Sequence, residues 1–218
     1  MLLSIETSQR LCSTAILDMD GHFVDQIVID ELNQHSKNLP IICRELLKNN
    51  GLAFESLNCI AISQGPGSYT GLRIGAAYAK GLCFGLDVPL VAVSTLQAMS
   101  WQLETINKQE ATCYVPMIDA RRMEVYWAAY QRNKEICVEK AEILNKEFFL
   151  KWEQKCYFFG NGAEKIPSNW LLDHHEVVPN IRPMAKDVAS LAYQKFRKQD
   201  FVFLDSFEPS YIKSFHFG

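Results

Sequence analysis

The chain lacks the features that would place it quickly. No Lys/Arg run extends beyond isolated pairs, and the formal net charge is −3. A protein that grips nucleic acid unaided usually carries a basic face, and here neither total charge nor sequence supplies one. Low-complexity, Pro-rich and like-charge blocks are missing too, so nothing marks a disordered tail. The uncharged run Val88 to Leu103 is broken by Pro89, Ser94, Thr95, Gln97, Ser100 and Gln102, and predicts no membrane span. At the N-terminus, Leu2 to Ile5 meets Glu6 before a signal-like apolar region develops, without a basic segment ahead of it, which reads as a strand rather than a signal peptide. Seven cysteines stand at 12, 43, 59, 83, 113, 137 and 156 with no C-x-x-C pair. An odd, scattered set in apolar segments predicts reduced, mostly buried thiols and a cytoplasmic chain.

Catalytic signatures are equally scarce. The histidines at 22, 35, 174, 175 and 216 show no i,i+4 pair that would put two imidazoles on one helix face, so no metal site is expected. No G-x-S-x-G elbow exists, and the sequence positions no histidine beside Ser63 or Ser68. Met99-Ser100-Trp101 and Tyr126-Trp127 read as core residues rather than a ligand cage.

What the chain has is an ordinary globular composition, 48% hydrophobic and 22% charged over 218 residues, enough for one large α/β domain or two small ones. Its centre is Gln64-Gly65-Pro66-Gly67-Ser68-Tyr69-Thr70-Gly71-Leu72-Arg73-Ile74-Gly75, which follows the apolar run Cys59 to Ile62 and reads as strand, turn, helix. Each glycine in a regular element costs about 0.5–1 kcal/mol relative to alanine, so a backbone or packing demand must offset it. A Walker loop needs a lysine after its last glycine, and G-x-G-x-x-G fails by one residue. Two readings stay open: an anion held by backbone N–H groups at a helix start, or a tight turn with close helix packing. The rhythm of Gly71, Gly75, Ala79 and Cys83 favours packing.

Leu2–Glu6, Cys12–Leu17 and 22–29 predict a three-strand meander, followed by a helix from Ser36 to Asn50 with Leu39, Ile42, Cys43, Leu46 and Leu47 on one face. The strand at 59–63 then lies parallel to the first. A helix from Tyr69 to Gly85, a strand at 89–93 and a helix at 95–107 complete the first half. The second half echoes the first: Met117-Ile118-Asp119-Ala120 answers Ser4-Ile5-Glu6-Thr7, a strand returns over 124–130, and a helix over 145–154 leads to strand Cys156 to Phe159 and the turn Gly160-Asn161-Gly162. A last helix spans 185–199. This predicts two similar α/β lobes, 1–107 and 108–218. Glu6 and Asp119 end equivalent strands, where they serve either as an acid–base or ligand pair or as simple turn caps.

The stretch Gln64 to Gly75, together with Asp119-Ala120-Arg121-Arg122-Met123-Glu124-Val125-Tyr126, resembles the TsaB (YeaZ) family of tRNA threonylcarbamoyladenosine biosynthesis proteins. The resemblance runs the length of the chain through Ile5-Glu6-Thr7-Ser8, His35, Gly160-Asn161-Gly162-Ala163 and Pro209-Ser210-Tyr211-Ile212-Lys213; Glu6 stands where the family usually has aspartate. It implies the two-lobed fold of the sugar kinase and actin (ASKHA) superfamily, each lobe a mixed sheet flanked by helices. It also implies a degenerate sister of the catalytic subunit TsaD, with Thr95 and Met99 where that sister carries H-x-x-x-H. The implied function is a non-catalytic dimerisation subunit that binds and activates TsaD, with the ATPase TsaE as third partner and tRNA met only through the complex. The alternative is an autonomous nucleotide-dependent enzyme or a glycoprotease-like peptidase. Partner-binding residues expected on the two long helices are Leu39, Cys43, Leu46, Gly71, Gly75 and Ala79. Glu6, Gly65, Gly67, Asp119 and Arg121 are the candidates for nucleotide or anion binding, with ATP or ADP at an interface with partners rather than tightly held, and a homodimer as the state of the chain alone.

Overall fold

The computed structural model describes residues 1–31, 34–107 and 112–212. The expected lobe boundary at 107/108 touches residues outside this set, as do Lys213 and His216. The chain forms two compact units, one of Met1–Ala98 with Pro183–Ser210, the other principally Met99–Arg182.

In the first unit, β1 (Leu2–Glu6), β2 (Cys12–Leu17) and β3 (Phe23–Ile29) form the expected meander, and β4 (Cys59–Gly65) and β5 (Leu90–Ser94) extend it in parallel, giving the order β3-β2-β1-β4-β5. Both faces of β1 and β2 are buried, which is why their sequences are apolar or small up to Glu6 at the end of β1. Helices α1 (His35–Asn49) and α2 (Tyr69–Leu86) pack side by side on one face, where Leu39, Ile42, Cys43, Leu46 and Leu47 meet Leu3, Ile5, Ile60 and Ile62. Each such side chain contributes about 1.5–3 kcal/mol by leaving water. Ser68 caps α2, its Oγ accepting from the N–H of Gly71, and Ser94 does the same for α3 (Thr95–Ile106) through Gln97.

The other face of this sheet is covered by α5 (Ala185–Arg197), which the sequence placed in the second lobe. Ser4, pointing away from α1, donates to the carbonyl of Ala185 at 2.7 Å, and the Ala185 N–H donates to Ser13 Oγ at 3.0 Å. The chain therefore returns to its first unit, and Val202 bridges Leu90 at the β5 edge.

The second unit repeats the topology. Strands β6 (Cys113–Asp119), β7 (Glu124–Gln131) and β8 (Lys134–Ile143) form a meander, and β9 (Cys156–Phe159) and β10 (His175–Val178) add in parallel to give β10-β9-β6-β7-β8. Read outward from the edge strand of the meander, the order is the same in both units. The connections differ: α4 (Lys146–Leu150) has five residues where α1 has fifteen, and only short turns follow β9. The core here is aromatic, with Trp127, Phe148, Phe149 and Phe158 in edge-to-face contact and the Lys151 ammonium 4.0 Å from the Phe148 ring centre.

All seven cysteines are free, as expected, and burial pushes the thiols of Cys12, Cys43, Cys59 and Cys83 up to about 12. His175 opens β10 as a neutral imidazole: Nδ1 accepts from the Leu172 N–H, Nε2 donates to the Trp152 carbonyl, and burial holds its pKa below the ordinary value. A base whose folded pKa is depressed gives stability that is present above the unfolded value and lost as pH falls, because the unfolded chain takes up the proton first. Stability of the second unit is therefore expected to decline once pH drops below about 6.5. Chemical denaturation of the chain and of His175→Gln from pH 7.5 to 5 reads this: the parent should lose more on acidification, and parallel curves would contradict it.

Candidate functional site

The glycine turn is where the first unit concentrates its unusual backbone. Gly65 takes φ 112° and precedes a cis peptide to Pro66. A Cβ built on Gly67 would lie 2.4 Å from the Ser8 carbonyl oxygen; on Gly71, 2.1 Å from that of Thr7; on Gly75, 2.3 Å from Thr7 Oγ1; and on Gly65, 2.8 Å from the Ser210 carbonyl oxygen. The turn after β1 is thus pressed against the start of α2, and Ser68 N–H donates to the Ser8 carbonyl at 2.6 Å. The places a side chain would take at Gly65 and Gly67 are occupied by carbonyl oxygens of the same chain, which is the demand that keeps both positions glycine. Close packing accounts for the glycines of this turn.

That packing also corrects the expected partner surface. Leu39, Cys43, Leu46 and Ala79 have no exposed surface, and Gly71 and Gly75 are buried. The four-residue stripe does seat α2 closely, but on β1, β4 and the Thr7–Ser8 turn rather than on a partner. The outward side of α2 carries Arg73, Ala77, Gly81, Phe84 and Gly85 instead. Phe84 is 85% exposed, and a Cβ on Gly81 or Gly85 would meet nothing within 4 Å. On neighbouring α1, Ile41 is exposed between Lys37, Arg44 and Glu45. Beside Phe84 runs an open groove lined by Lys80, Gly81, Leu204 and Asp205, next to Phe203, itself 85% exposed. Phe84 and Phe203 thus leave apolar surface in solvent beside the open glycines of α2. Its one legible sign in the sequence is a phenylalanine between two glycines spaced by four residues.

The two strand-end carboxylates occupy equivalent places but opposite environments. Glu6 is wholly buried; Oε1 accepts from the Ser8 N–H, and Oε2 has no hydrogen-bond partner. Burial raises its pKa above the usual carboxyl range, outweighing the nearby hydroxyls of Ser8 and Ser63, which favour the ionised form. Thr95 Oγ1, also buried, has no partner either, and Met99 is buried with its methyl against Gly160. A buried acid of raised pKa contributes stability that is full below the unfolded carboxyl value and lost as pH rises through the folded one. Glu6→Gln keeps the acceptor for Ser8 and is expected to be more stable than the parent at pH 8, with the gap closing towards pH 5. Melts of both proteins across that range decide it, and a constant gap would count against a raised Glu6 pKa.

Asp119 is 41% exposed at its side chain and ionically tied. Its Oδ1 accepts from the Arg121 N–H at 2.6 Å and from the Lys165 ammonium, and its own N–H donates to Asn161 Oδ1 at 3.0 Å. Lys165 was not singled out by the sequence, and Asn161 was named only as part of its glycine turn. Among the described residues the one cluster with metal-ligand character is Asp18, Asp20 and His22. It is an exposed turn in which Asp18 Oδ1 caps the N–H groups of Asp20 and His22, which explains the clustering without an ion.

Two open sheets of one repeated topology, each with a carboxylate at the end of its first strand, define a member of the sugar kinase and actin class of fold. A polyphosphate/ATP-glucomannokinase from Arthrobacter shares that fold alone, with a TM-score of 0.53 over 91% of this chain and 98% of that one at 9% identity. The likeness narrows with YeaZ from Pseudomonas aeruginosa, with a TM-score of 0.79 over 96% of this chain and 98% of that one at 28% identity. TsaB of Escherichia coli, a tRNA threonylcarbamoyladenosine biosynthesis protein, is 31% identical across 98% of this chain and 94% of its own length. Residues 30–203 also match the family model described as TsaD, tRNA N6-adenosine threonylcarbamoyltransferase. The chain belongs to the TsaB family of tRNA threonylcarbamoyladenosine biosynthesis proteins. Among its described residues, no helix is long and apolar enough to cross a membrane.

Proposed function

We propose that the chain is a non-catalytic subunit of tRNA N6-threonylcarbamoyladenosine synthesis that docks on, and activates, a transferase of the tRNA N6-adenosine threonylcarbamoyltransferase kind. The observation that carries this reading is the outward face of α1 and α2, with Phe84 85% exposed beside open glycines while the rest of both helices is committed to the core. Chemistry of its own finds little support. Glu6 is shut in, Asp119 is paired with Lys165, and Thr95 and Met99 are buried without an imidazole between them. A transferase built on the same fold would present a related pair of helices, so a pseudo-symmetric helix-on-helix contact is the economical geometry. The same face would pair two copies of this chain when the partner is absent, and an ATPase of the TsaE kind would join the assembled pair. The test is threonylcarbamoyl transfer to tRNA by the purified transferase with and without this chain. Activity only when both are present supports the reading; turnover of ATP or of a peptide by this chain alone would overturn it.

A further inference from the structure

The turn between β6 and β7 uses residues ill suited to its backbone. Arg121 and Arg122 lie at φ 73° and 51°, successive left-handed positions that glycine or asparagine occupies with little strain. The turn is nevertheless held from several sides. Asp119 Oδ1 receives the Arg121 N–H and the Lys165 ammonium; Lys165 also donates to the Glu124 carbonyl at 3.1 Å; and the N–H groups of Ala120 and Glu124 close on Glu124 and Arg121 carbonyls at 3.0 and 3.1 Å. Both arginine side chains are exposed, and no hydrogen bond or ion pair among the described residues engages either guanidinium. Strain kept in a braced turn that ends in two unengaged cations is the pattern of a binding element rather than of a surface loop. In a chain of net charge −3 such a contact must act locally, not through a long-range field.

We propose that the Arg121–Arg122 tip is a phosphate-recognition site, with Asp119 and Lys165 as positioning residues that fix the turn. Two adjacent guanidinium forks fit the oxygens of a phosphate group, each able to donate two parallel N–H bonds. The phosphate belongs either to a nucleotide or to the tRNA backbone, the latter resting on the proposed function. The variant R121G/R122G separates binding from structure, because glycine relieves the left-handed strain while removing both cations. Binding of inorganic pyrophosphate, ADP and unmodified tRNA is measured on the chain assembled with its transferase partner.

The expected result is a melting temperature equal to or above that of the parent, unchanged co-purification with the transferase, and affinity for a phosphate ligand reduced about tenfold or more. Loss for pyrophosphate and ADP alone identifies a nucleotide. Loss for tRNA alone, with a shallower dependence of affinity on salt, identifies the RNA backbone. Asp119→Ala should weaken the same ligand and Asp119→Asn, which keeps an acceptor for the Arg121 N–H, should restore most of the affinity. A folded R121G/R122G variant with parental affinity for all three probes, or a parent assembly that binds none of them, overturns the proposal. Failure of co-purification in the parent would instead count against the docking reading.

Discussion

Gly71→Val is expected to destabilise the fold by about 3 kcal/mol or more, and it is the most damaging single change the structure identifies. The Cβ would sit 2.1 Å from the Thr7 carbonyl oxygen, with the Thr7–Ser8 turn itself fixed by Gly67 and Gly75 contacts on either side. Overpacking of a core costs about 1–3 kcal/mol where side chains can yield. Here backbone opposes backbone and a branched side chain follows, so about 3 kcal/mol or more is expected, a large part of a total of about 5–15 kcal/mol. The comparison that gives this meaning lies on the same helix. Gly81→Ala faces open space and should stabilise by about 0.5–1 kcal/mol through helix propensity alone. Denaturant titrations of both variants separate the two faces of α2. Equal effects at Gly71 and Gly81 would mean the clasp between α2 and the Thr7–Ser8 turn does not hold the fold.

The second large effect concerns association rather than folding. Phe84→Asp should leave the stability of the isolated chain within about 0.5 kcal/mol, since the ring is 85% exposed and the main chain is untouched. At a docking surface the same ring is the natural anchor, large, apolar and flanked by glycines that let a partner helix approach closely. Anchors of this kind carry about 2–4 kcal/mol of binding, or roughly thirty- to a thousandfold in affinity. A carboxylate there also has to be desolvated, and Asp205 at the edge of the groove adds like charge.

Much of the architecture was legible because it rests on short-range pattern. The meander β1-β2-β3, the parallel return of β4 and the glycine turn follow from apolar runs, turn residues and a crossover helix of sufficient length, and the repeat in the second unit follows from the same motifs in the same order. What escaped was set at long range or by irregular strands. Strand β8 carries Lys134, Glu135, Glu139, Lys140 and Glu142, and its register against β7 shifts twice, so its hydrophobic alternation is lost. Such bulges and charges are how an exposed edge strand avoids pairing with other chains. Strand β10 has four residues, too few for a period to show. Helix α5 was seen, but an amphipathic pattern does not say which sheet it covers.

The outward surface of the two helices was less legible for a related reason. A small residue every fourth position predicts a close approach, and Gly71, Gly75 and Ala79 do make one. The rhythm is silent on whether the approaching surface is the chain's own Thr7–Ser8 turn, some sixty residues earlier, or another molecule. Leu39, Cys43 and Leu46 likewise describe an apolar face, and the sheet needs that face first. The docking candidates are the residues left over after the core is satisfied, Phe84 and Ile41, and they become visible only when burial is known. Glu6 and Asp119 show the same limit in chemistry. Equivalent positions in a repeat suggested equivalent roles, yet one acid is buried with its pKa raised by that burial and the other is exposed and bound to Lys165.

Calorimetric titration of the purified transferase with the parent chain and with Phe84→Asp tests most directly whether the outward face of α1 and α2 is where this chain meets its transferase partner. Measurable binding by the parent and a loss of at least about thirtyfold in the variant are expected, with both chains equally stable when alone. Equal affinities would place the contact on another surface and contradict that assignment.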